Sequence, residues 1–413
     1  MKIDHMKCSV CGTHYGPDEV VYTCPKDGGN LDVIPDFAQL SNLVSPHDIL
    51  DSDESSLWRY LPLLPVSDPG GQYTPIHRAG WTPVYQPMAL AKDLNLDNLW
   101  IKDESPNPSA SFKDRASAIV MARAKEIDAE VVVAASTGNA GAANACMAAA
   151  LGMRAVIFAP KTAPQAKIAQ LLVFGAKVLL VDGNYDQAFD LSIEASHEFG
   201  WYNRNTGFNP FTAEGKKTAA FEIWEQVLVR QSENSKNLTV FISVGDGNII
   251  SGIYKGFRDL LDLGWINKIP RLIGVQAEGS AAIANAFKQG ATSITPVQAD
   301  TIADSISVDL PRDGLRALRA VRESNGTYVT VSDQDILKAI PSLGKVGIFA
   351  EPAGATAYAG LVTALKDNIV QNSDPALVLN TGSGLKDVKA CMQAVQSAQI
   401  IEPTLDAVKK VMF

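Results

Sequence analysis

Basic residues are fewer than acidic residues in this sequence of 413 residues. Lysine and arginine together number 36 against 45 aspartates and glutamates, which gives a net charge of −9 and an isoelectric point near 5.2. A nucleic-acid partner would require a basic face, so the composition argues against one. Uninterrupted apolar runs are also missing. The longest apolar stretch, residues 142–159, contains Arg154, so nothing predicts a membrane span or a membrane partner.

Cysteine is equally sparse, and its placement predicts the cellular compartment. There are five cysteines, and three of them lie near the N-terminus. This pattern suits a reduced cytoplasm better than a disulfide framework. Residues 1–7 include Asp4 and His5 without an apolar segment, so we expect no signal peptide. The sequence therefore predicts a cytoplasmic protein.

What the sequence does contain is enough apolar residue to build sizeable cores. Hydrophobic residues make up 46% of the chain and charged residues 20%, which is ordinary for a globular protein. The length predicts roughly two domains with an appendage.

Two short motifs near the N-terminus have the spacing of zinc-ribbon knuckles. Cys8 and Cys11 are separated by two residues, and Cys24 and Asp27 repeat that spacing. Thiolates at this spacing can share one tetrahedral metal, and zinc also accepts a carboxylate oxygen. We therefore predict a zinc-ribbon-like segment over residues 1–34, with a structural or docking role. A degenerate ribbon held only by packing is the alternative.

From residue 98 onward, predicted strands alternate with predicted helices. In the run 130–135 every residue after Glu130 is apolar, which is typical of a strand buried on both faces of a parallel sheet. Repeated strand–helix units predict an α/β fold with parallel sheets. Ligands of such sheets bind at the carboxyl ends of the strands, so the loops that follow strands are the candidate sites. The predicted strands are 99–103, 130–135, 155–159, 177–181, 239–244, 271–277, 328–331 and 376–380.

The stretch from Asn107 to Arg115 places a lysine at the beginning of a predicted helix. Ser111 is the predicted N-cap, and the residues after Ala116 are strong helix formers. Lys113 at this position can form a Schiff base with an aldehyde cofactor if neighbouring loops hold a phosphate and a ring. Taken alone, a solvated lysine in the first helical turn is the simpler interpretation.

Three loops after predicted strands supply such neighbours. In the first, Ser136-Thr137-Gly138-Asn139, the backbone amides can bind a carboxylate and Asn139 can donate to a ring oxygen. The second, Gly245-Asp246-Gly247-Asn248-Ile249, opens a helix, and its small residues allow the amides to surround a terminal phosphate. We expect Asp246 to point away from that anion. In the third loop, the Thr381 hydroxyl can meet a heteroaromatic nitrogen.

The lysine loop and these three loops, in this order, resemble the fold-type-II pyridoxal-phosphate enzymes. Ser111-Phe112-Lys113-Asp114-Arg115 and Thr381-Gly382-Ser383-Gly384-Leu385-Lys386-Asp387 are most similar to the threonine synthase family, which also has an N-terminal ribbon and arm. The resemblance implies two parallel-sheet α/β domains with a zinc-ribbon-like appendage. We assign residues 35–97 to an arm and the start of the large domain, anchored by residues 58–62. Residues 98–210 would form the smaller domain and residues 211–413 the larger.

The resemblance also implies roles for individual residues. Lys113 would be the Schiff-base lysine and the proton shuttle, and Asn139 would hold the 3′ oxygen of the ring. Thr381 would meet the pyridine nitrogen. The cofactor phosphate would be bound by Gly245, Asp246, Gly247, Asn248 and Ile249. The candidate substrate-binding residues are Ser111, Ser136, Thr137, Gly138 and Lys216. The implied reaction converts O-phospho-L-homoserine and water to L-threonine and phosphate, in a homodimer.

The sequence departs from the family pattern at the places that would contact the substrate. The family commonly has Thr-Gly where this chain has Ser109-Ala110, and Thr-Ser where it has Ala140-Gly141. An arginine expected at the substrate phosphate is replaced by Thr212. Because a phosphate dianion needs charged donors, we consider other cations as replacements; these are Lys161, Arg204, Lys216 and Lys217.

Two other functions stay open on these residues. The segment from Glu351 to Ala355, Glu-Pro-Ala-Gly-Ala, resembles the dehydratase version of the motif. A pyridoxal-phosphate-dependent serine or threonine dehydratase, or a β-replacement enzyme acting on an activated serine, is therefore the first alternative. The second is a metal-binding regulatory protein that has lost catalysis.

Overall fold

The computed structural model describes residues 3–412, and strands and helices alternate over most of that range. The strands are β1 Ile3–Cys8, β2 His14–Tyr15, β3 Leu31–Pro35, β4 Val84–Tyr85, β5 Leu99–Asp103, β6 Val131–Ala135, β7 Arg154–Pro160, β8 Lys177–Val181, β9 Tyr202–Asn203, β10 Thr239–Ser243, β11 Arg271–Ala277, β12 Thr327–Val331 and β13 Ala376–Asn380. The α-helices are α1 Phe37–Leu43, α2 Pro46–Leu50, α3 Met88–Asp93, α4 Lys113–Glu126, α5 Asn139–Ala150, α6 Gln165–Val173, α7 Tyr185–Phe199, α8 Phe211–Lys216, α9 Thr218–Ile223, α10 Asn248–Asp262, α11 Ala282–Lys288, α12 Gly314–Glu323, α13 Asp333–Gly344, α14 Pro352–Lys366, α15 Val388–Cys391 and α16 Leu405–Met412.

Three sheets organise these elements. A six-stranded sheet has the order β12-β11-β10-β13-β5-β4, a four-stranded sheet has the order β8-β7-β6-β9, and an N-terminal sheet has the order β2-β1-β3. The four-stranded sheet is parallel throughout, and the six-stranded sheet is parallel except at β4. The central strands β6, β10 and β13 are buried along their whole length, as expected when helices cover both faces. The predicted α/β fold with parallel sheets is confirmed.

One part of the predicted domain division is wrong. Strand β5 was assigned to the smaller domain over residues 98–210, but it pairs with β13 in the six-stranded sheet, with Leu99 opposite Ala376 and Asp103 opposite Asn380. The partner strand lies far away in sequence, and the apolar pattern of β5 fits any buried parallel strand. Sequence adjacency to Lys113 therefore gave the wrong sheet.

The predicted anchor at residues 58–62 is confirmed by burial. A 3₁₀ helix, Leu57–Leu63, buries Trp58, Arg59 and Tyr60 against the body of the protein. The Trp58 indole nitrogen donates to Ile76 O at 2.9 Å, and the Arg59 guanidinium donates to Glu225 at 2.8 and 3.0 Å. A buried ion pair between Arg59 and Glu225 therefore holds the arm against the body of the protein.

The N-terminal sheet docks on the body through polar contacts. Asp32 in β3 pairs with Arg316 at 2.9 Å and with Arg319 at 2.7 Å, both on α12. The Asn30 side chain donates to Gly207 O at 2.6 Å. Across residues 3–412, no helix is both long enough and apolar enough to cross a lipid bilayer.

Candidate active site

A cavity of about 540 Å³ lies where the predicted loops meet. Residues 136–139, which follow β6, and residues 244–250, which follow β10, both line it, together with Lys113 and Lys216. The two strands belong to different sheets, so the cavity is at the carboxyl ends of both, where ligands of parallel sheets bind. Its volume is in the range of small-molecule sites.

Lys113 is the first residue of α4, although the cap is not the predicted one. The N-cap position falls on Phe112, and the Ser111 hydroxyl is buried with no hydrogen-bond partner in the part of the chain that the structure describes. Asp114 organises the turn instead, because its carboxylate accepts from Ser109 N and from Ser109 Oγ, both at 2.6 Å. The predicted N-cap role of Ser111 is therefore wrong, and its buried hydroxyl is left without a partner within residues 3–412.

Burial lowers the pKa of the Lys113 amine from its ordinary value. The nearby Glu351 and Asp246 carboxylates favour the charged amine, while Arg204 disfavours it, and desolvation outweighs them. Lys113 is therefore not the solvated lysine of the simpler interpretation. Its amine faces the cavity, and burial makes that amine easier to deprotonate than the amine of an exposed lysine.

The loop after β10 is shaped to admit an anion. Gly247 has φ +91°, and an added Cβ would lie 2.8 Å from Asp313 O and from Ala317 Cβ, so only glycine fits there. Helix α10 begins at the next residue, Asn248, and directs its free amides and positive end at the cavity. The Asp246 carboxylate accepts from Arg312 N at 3.2 Å, and it also lies near enough to Lys113 and Lys216 to raise the pKa of both amines.

Three further basic side chains line the cavity, and one of them, Arg312, already pairs with Asp186 at 2.7 Å. Lys216 on α8 and Arg204 after β9 are both buried and both line it. Burial and the neighbouring positive charge of Lys113 hold the pKa of Lys216 well below its usual range. Burial also lowers the pKa of Arg204 to about 10, and its Nη2 has no partner among residues 3–412. Within the same residues, no carboxylate forms an ion pair with Lys113, Lys216 or Arg204.

The other cations considered as replacements for the missing arginine point elsewhere. Lys217 pairs with Glu214 at 2.7 Å and with Asp259 at 2.9 Å, away from the cavity. Lys161 is exposed and pairs with Asp182. Neither lysine lines the cavity, and each already pairs with a carboxylate, so the structure gives no support to those two alternatives. Thr212, at the expected arginine position, is buried and donates to Asn209 O at 2.8 Å.

The Glu351 carboxylate, for which the sequence predicts no role, lies next to the cavity residue Asn139. Glu351 accepts from the Asn139 amide nitrogen at 2.7 Å, and that nitrogen also lies 3.3 Å from Ser305 Oγ. Burial raises the pKa of Glu351 to about 7, against the opposing influence of Lys113 and Asn139. The Glu-Pro pair at the start of α14 resembles the dehydratase motif, but that resemblance implies no role for the Glu351 carboxylate. Nothing in its spacing signalled contact with Asn139, 212 residues earlier.

The Thr381 loop joins the lysine loop through the backbone. Phe112 N donates to Thr381 O at 2.9 Å, and Ser111 forms a bridge with Gly382. Thr381 and Ser111 do not themselves line the cavity in the structure, while the other predicted cofactor and substrate residues do. The remaining predicted ligands, Cys8, Cys11, Cys24 and Asp27, lie in the N-terminal sheet region with their ligand atoms all within 4.8 Å of one another.

The fold and this cavity define a class of enzyme, and comparison with known proteins agrees. The family described as "Pyridoxal-phosphate dependent enzyme" matches residues 77–382. The threonine synthase of Methanosarcina acetivorans is 36% identical over 413 residues, covering 99% of this chain and 98% of that protein. That of Methanocaldococcus jannaschii is also 36% identical, covering 98% of both chains. The chain belongs to the threonine synthase family of pyridoxal-phosphate-dependent enzymes.

Solved structures share the fold with this chain. The processed form of threonine deaminase isoform 2 from Solanum lycopersicum has a TM-score of 0.63 at 24% identity, covering 76% of this chain and 88% of that one. Maize serine racemase has a TM-score of 0.63 at 23% identity, covering 73% and 88%.

The residues present fit a phosphate-bearing aldehyde. The cavity offers an amine with a lowered pKa, a helix N-terminus behind a glycine that admits close approach, and two cations without carboxylate partners. Ser243, which also lines it, has a buried hydroxyl with no partner in the described part of the chain. Unsatisfied buried donors of this kind are costly unless a ligand meets them.

Proposed function

We propose that this enzyme converts O-phospho-L-homoserine and water to L-threonine and phosphate. The observation that carries the proposal is the convergence of Lys113, Lys216 and Arg204 on one cavity, where none of the three forms an ion pair with a carboxylate of the described residues. One of these cations is needed as the amine for the cofactor. The other two, Lys216 and Arg204, can bind a second phosphate in addition to that of the cofactor. A substrate without a phosphate would not require them.

The cofactor would be held by residues from three elements. Lys113 would hold its aldehyde carbon, the amides of residues 245–249 would hold its phosphate, and Asn139 would hold its 3′ oxygen. The Thr381 hydroxyl would meet the ring nitrogen. When bound, pyridoxal phosphate supplies an electron sink for charge that develops on the substrate carbons.

The substrate would be bound at both of its charged ends. The α-carboxylate fits the amides of Ser136, Thr137 and Gly138 at the N-terminus of α5. Lys216 and Arg204 would bind the phosphate. An arriving dianion would favour the charged form of both side chains and so reverse the effect of burial on their pKa values.

Lys113 would also move protons. Because burial lowers the pKa of its amine, Lys113 gives up a proton more readily than an ordinary lysine, and the neutral amine can accept a proton from one substrate carbon and return it to another. The nearby Arg204 guanidinium favours release of that proton, because it disfavours a further positive charge on Lys113.

The test is the release of phosphate and threonine from O-phospho-L-homoserine by the purified, cofactor-loaded protein. Lys113→Ala should remove both turnover and the visible absorbance band of the lysine-bound cofactor. Lys161→Ala, a surface lysine that already pairs with Asp182, is the matched control and should keep both. Loaded wild-type protein that releases no phosphate would exclude the proposal.

Dehydration of serine or threonine is the second candidate, and the observation that favours it is the Glu351-Pro352-Ala353-Gly354 segment, with Glu351 bonded to Asn139. A ketoacid product would identify dehydration, and capture of an added nucleophile at the β-carbon would identify β-replacement. If wild-type protein binds no cofactor at all, both enzyme functions fail, and the metal-binding regulatory function takes their place.

Three further features belong to the proposal. We propose that Cys8, Cys11, Cys24 and Asp27 bind a structural zinc, because their ligand atoms already converge. A cytoplasmic location is supported by these thiols, which are free although Cys11 and Cys24 sulfurs lie 3.7 Å apart. The homodimer is supported by the family resemblance, and light scattering tests it.

A further inference from the structure

The direction of the Lys216 amine is set by one neighbour. Lys216 Nζ donates to Asn248 Oδ1, and Thr212 Oγ1 lies 3.4 Å from the same oxygen. Lys216 and Thr212 are one turn apart on α8, so both reach Asn248 from the same helical face. The Lys216 amine is therefore held by the Asn248 side-chain amide. The direction of the amine then depends on what fixes the orientation of that amide.

Asp313 fixes which way the Asn248 amide faces. Asn248 Nδ2 donates to Asp313 Oδ2 at 2.6 Å. An ionised carboxylate only accepts hydrogen bonds, so the amide nitrogen must face Asp313 and the amide oxygen must face α8. With the opposite orientation, Lys216 would meet an NH₂ group and lose its acceptor.

Asp313 is itself clamped by a buried arginine. Arg316 donates to Asp313 through Nε at 2.5 Å and through Nη2 at 2.9 Å. Its Nη1 donates to Asp32 at 2.9 Å and to Leu31 O at 3.1 Å, both in β3 of the N-terminal sheet. Burial opposes the charge of Arg316, but Asp313 and Asp32 more than offset this and raise its pKa. The clamp is therefore a charged, bidentate contact.

The same turn also supports the phosphate loop. Arg312 N donates to Asp246 Oδ1 at 3.2 Å, and Asp313 N donates to Asp246 O at 2.9 Å. The segment that precedes α12 therefore supports the loop backbone and the Asn248 side chain together.

We propose that Asp313 is a positioning residue that directs the Lys216 amine at a bound phosphate, with Arg316 and Asp32 as its anchor in the N-terminal sheet. The N-terminal sheet then contributes to ligand binding although none of its residues lines the cavity. The proposed function enters only in the choice of phosphate. The same amine can serve the phosphate of the substrate or that of the cofactor.

A double-mutant cycle tests the inference. Asp313→Asn is made alone and in the Lys216→Met background, and two dissociation constants are measured by calorimetry. These are for inorganic phosphate binding to the cofactor-loaded protein and for pyridoxal phosphate binding to the stripped protein. Asp313→Asn should weaken at least one of them by about tenfold, as expected for a charge-assisted contact. It should have almost no further effect once Lys216 is absent.

The two constants also show which phosphate Lys216 binds. Weaker inorganic phosphate binding alone assigns Lys216 to the substrate side, and weaker cofactor binding assigns it to the cofactor phosphate.

A second variant keeps the test decisive if Asp313→Asn fails to fold. Asp32→Asn, at a partly exposed position, should weaken the same constant by about threefold, because it loosens the anchor without removing it. Asp18→Asn is the matched control: Asp18 also joins the N-terminal region to the body, through Arg123 at 3.2 Å, but on α4. It should change neither constant.

Unchanged constants in the Asp313 and Asp32 variants, or effects that persist fully in the Lys216→Met background, would overturn the inference. Failure of the proposed function is separate. It would show as absent phosphate release by wild-type protein, while both binding constants could still be read.

Discussion

Ala110, three residues before Lys113, adopts a backbone conformation that favours glycine. Its φ is +65°, in the left-handed region that costs a residue with a Cβ about 1 kcal/mol or more. The family pattern has glycine at this position. We expect Ala110→Gly to raise the free energy of unfolding by about 0.5–1 kcal/mol, because the relief of strain exceeds the added chain entropy. Urea denaturation of the apoprotein measures it.

Ala149→Gly is the matched control for that change. Ala149 is exposed in the last turn of α5, where glycine relieves nothing and costs about 0.5–1 kcal/mol. The two substitutions should therefore shift the free energy of unfolding in opposite directions. A loss of stability in both would show that Ala110 is not strained.

Glu351 predicts a pH dependence with a definite sign. Its pKa is about 7 in the folded protein, raised by burial from the usual 4.5. Between these values the unfolded chain has released the proton while the folded chain keeps it, so the free energy of unfolding falls as pH rises. Glu351→Gln should remove this dependence. We therefore expect the free energy of unfolding of the variant, relative to that of the wild type, to rise by roughly 1–3 kcal/mol between about pH 4.5 and about pH 8.

Denaturation of the apoprotein across that pH range checks the expectation. Asp114, whose pKa burial raises to about 6, contributes with the same sign to both proteins and cancels in the difference. Glu198→Gln, at an exposed position on α7, should track the wild type at every pH. If Glu351→Gln does so too, the carboxyl is ionised in the folded protein throughout the range.

At this scale the sequence was informative about backbone motifs and uninformative about side chains that meet across the cavity. Lys113 and Gly247 could be found because a helix start and a close approach impose local residue types. Glu351, Asp313 and Arg316 act through partners from other elements. No local pattern marks such contacts, so they required the structure.

At the scale of elements, the two knuckles of the N-terminal sheet make the sharpest prediction. Purified protein should contain about one equivalent of zinc, and Cys24→Ala should remove it, because three remaining ligands leave the tetrahedral site incomplete. Metal analysis and the thermal midpoint, with and without a chelator, measure this. We expect the chelator to lower the wild-type midpoint and to leave that of Cys24→Ala unchanged.

Cys146→Ala separates loss of metal from loss of a buried cysteine. Cys146 is buried in α5, outside the cluster, so this variant should lower stability through packing and still keep the metal. Metal-free wild-type protein would instead favour the degenerate ribbon held by packing, in which the Tyr15 hydroxyl contacts Cys24 Sγ at 3.0 Å.

The strands show what periodicity can and cannot supply. All eight predicted strands from residue 99 onward are present within a residue or so of their predicted ends, because each is a short segment rich in apolar or β-branched residues. The two-residue strands β4 and β9 were not predicted, since two residues establish no period. The sheet to which β5 belongs depends on long-range pairing, which no run of apolar residues encodes.

At the scale of the whole molecule, a buried ion network joins the arm, the lysine helix and the six-stranded sheet. Glu222 on α9 accepts from Trp81 N at 2.7 Å and from Thr82 N at 3.1 Å in the arm, and it pairs with Lys102 of β5 at 2.7 Å. Arg115 on α4 donates to both Glu104 and Glu222. None of these four charged side chains has solvent exposure.

Arg115 is the residue on which this network depends. Two carboxylates are balanced by two cations, so Arg115→Met would leave Glu104 and Glu222 with Lys102 alone. An uncompensated charge of this kind typically costs about 3–5 kcal/mol.

Arg123→Met on the same helix is the control. Arg123 is partly exposed and pairs with Asp18 and Glu126, both at 3.2 Å, contacts worth about 0–1 kcal/mol. Because α4 begins at Lys113, we expect Arg115→Met also to weaken pyridoxal phosphate binding, measured by the cofactor absorbance band. Similar stability losses in both variants would show that the network is not what fixes the lysine helix to the rest of the molecule.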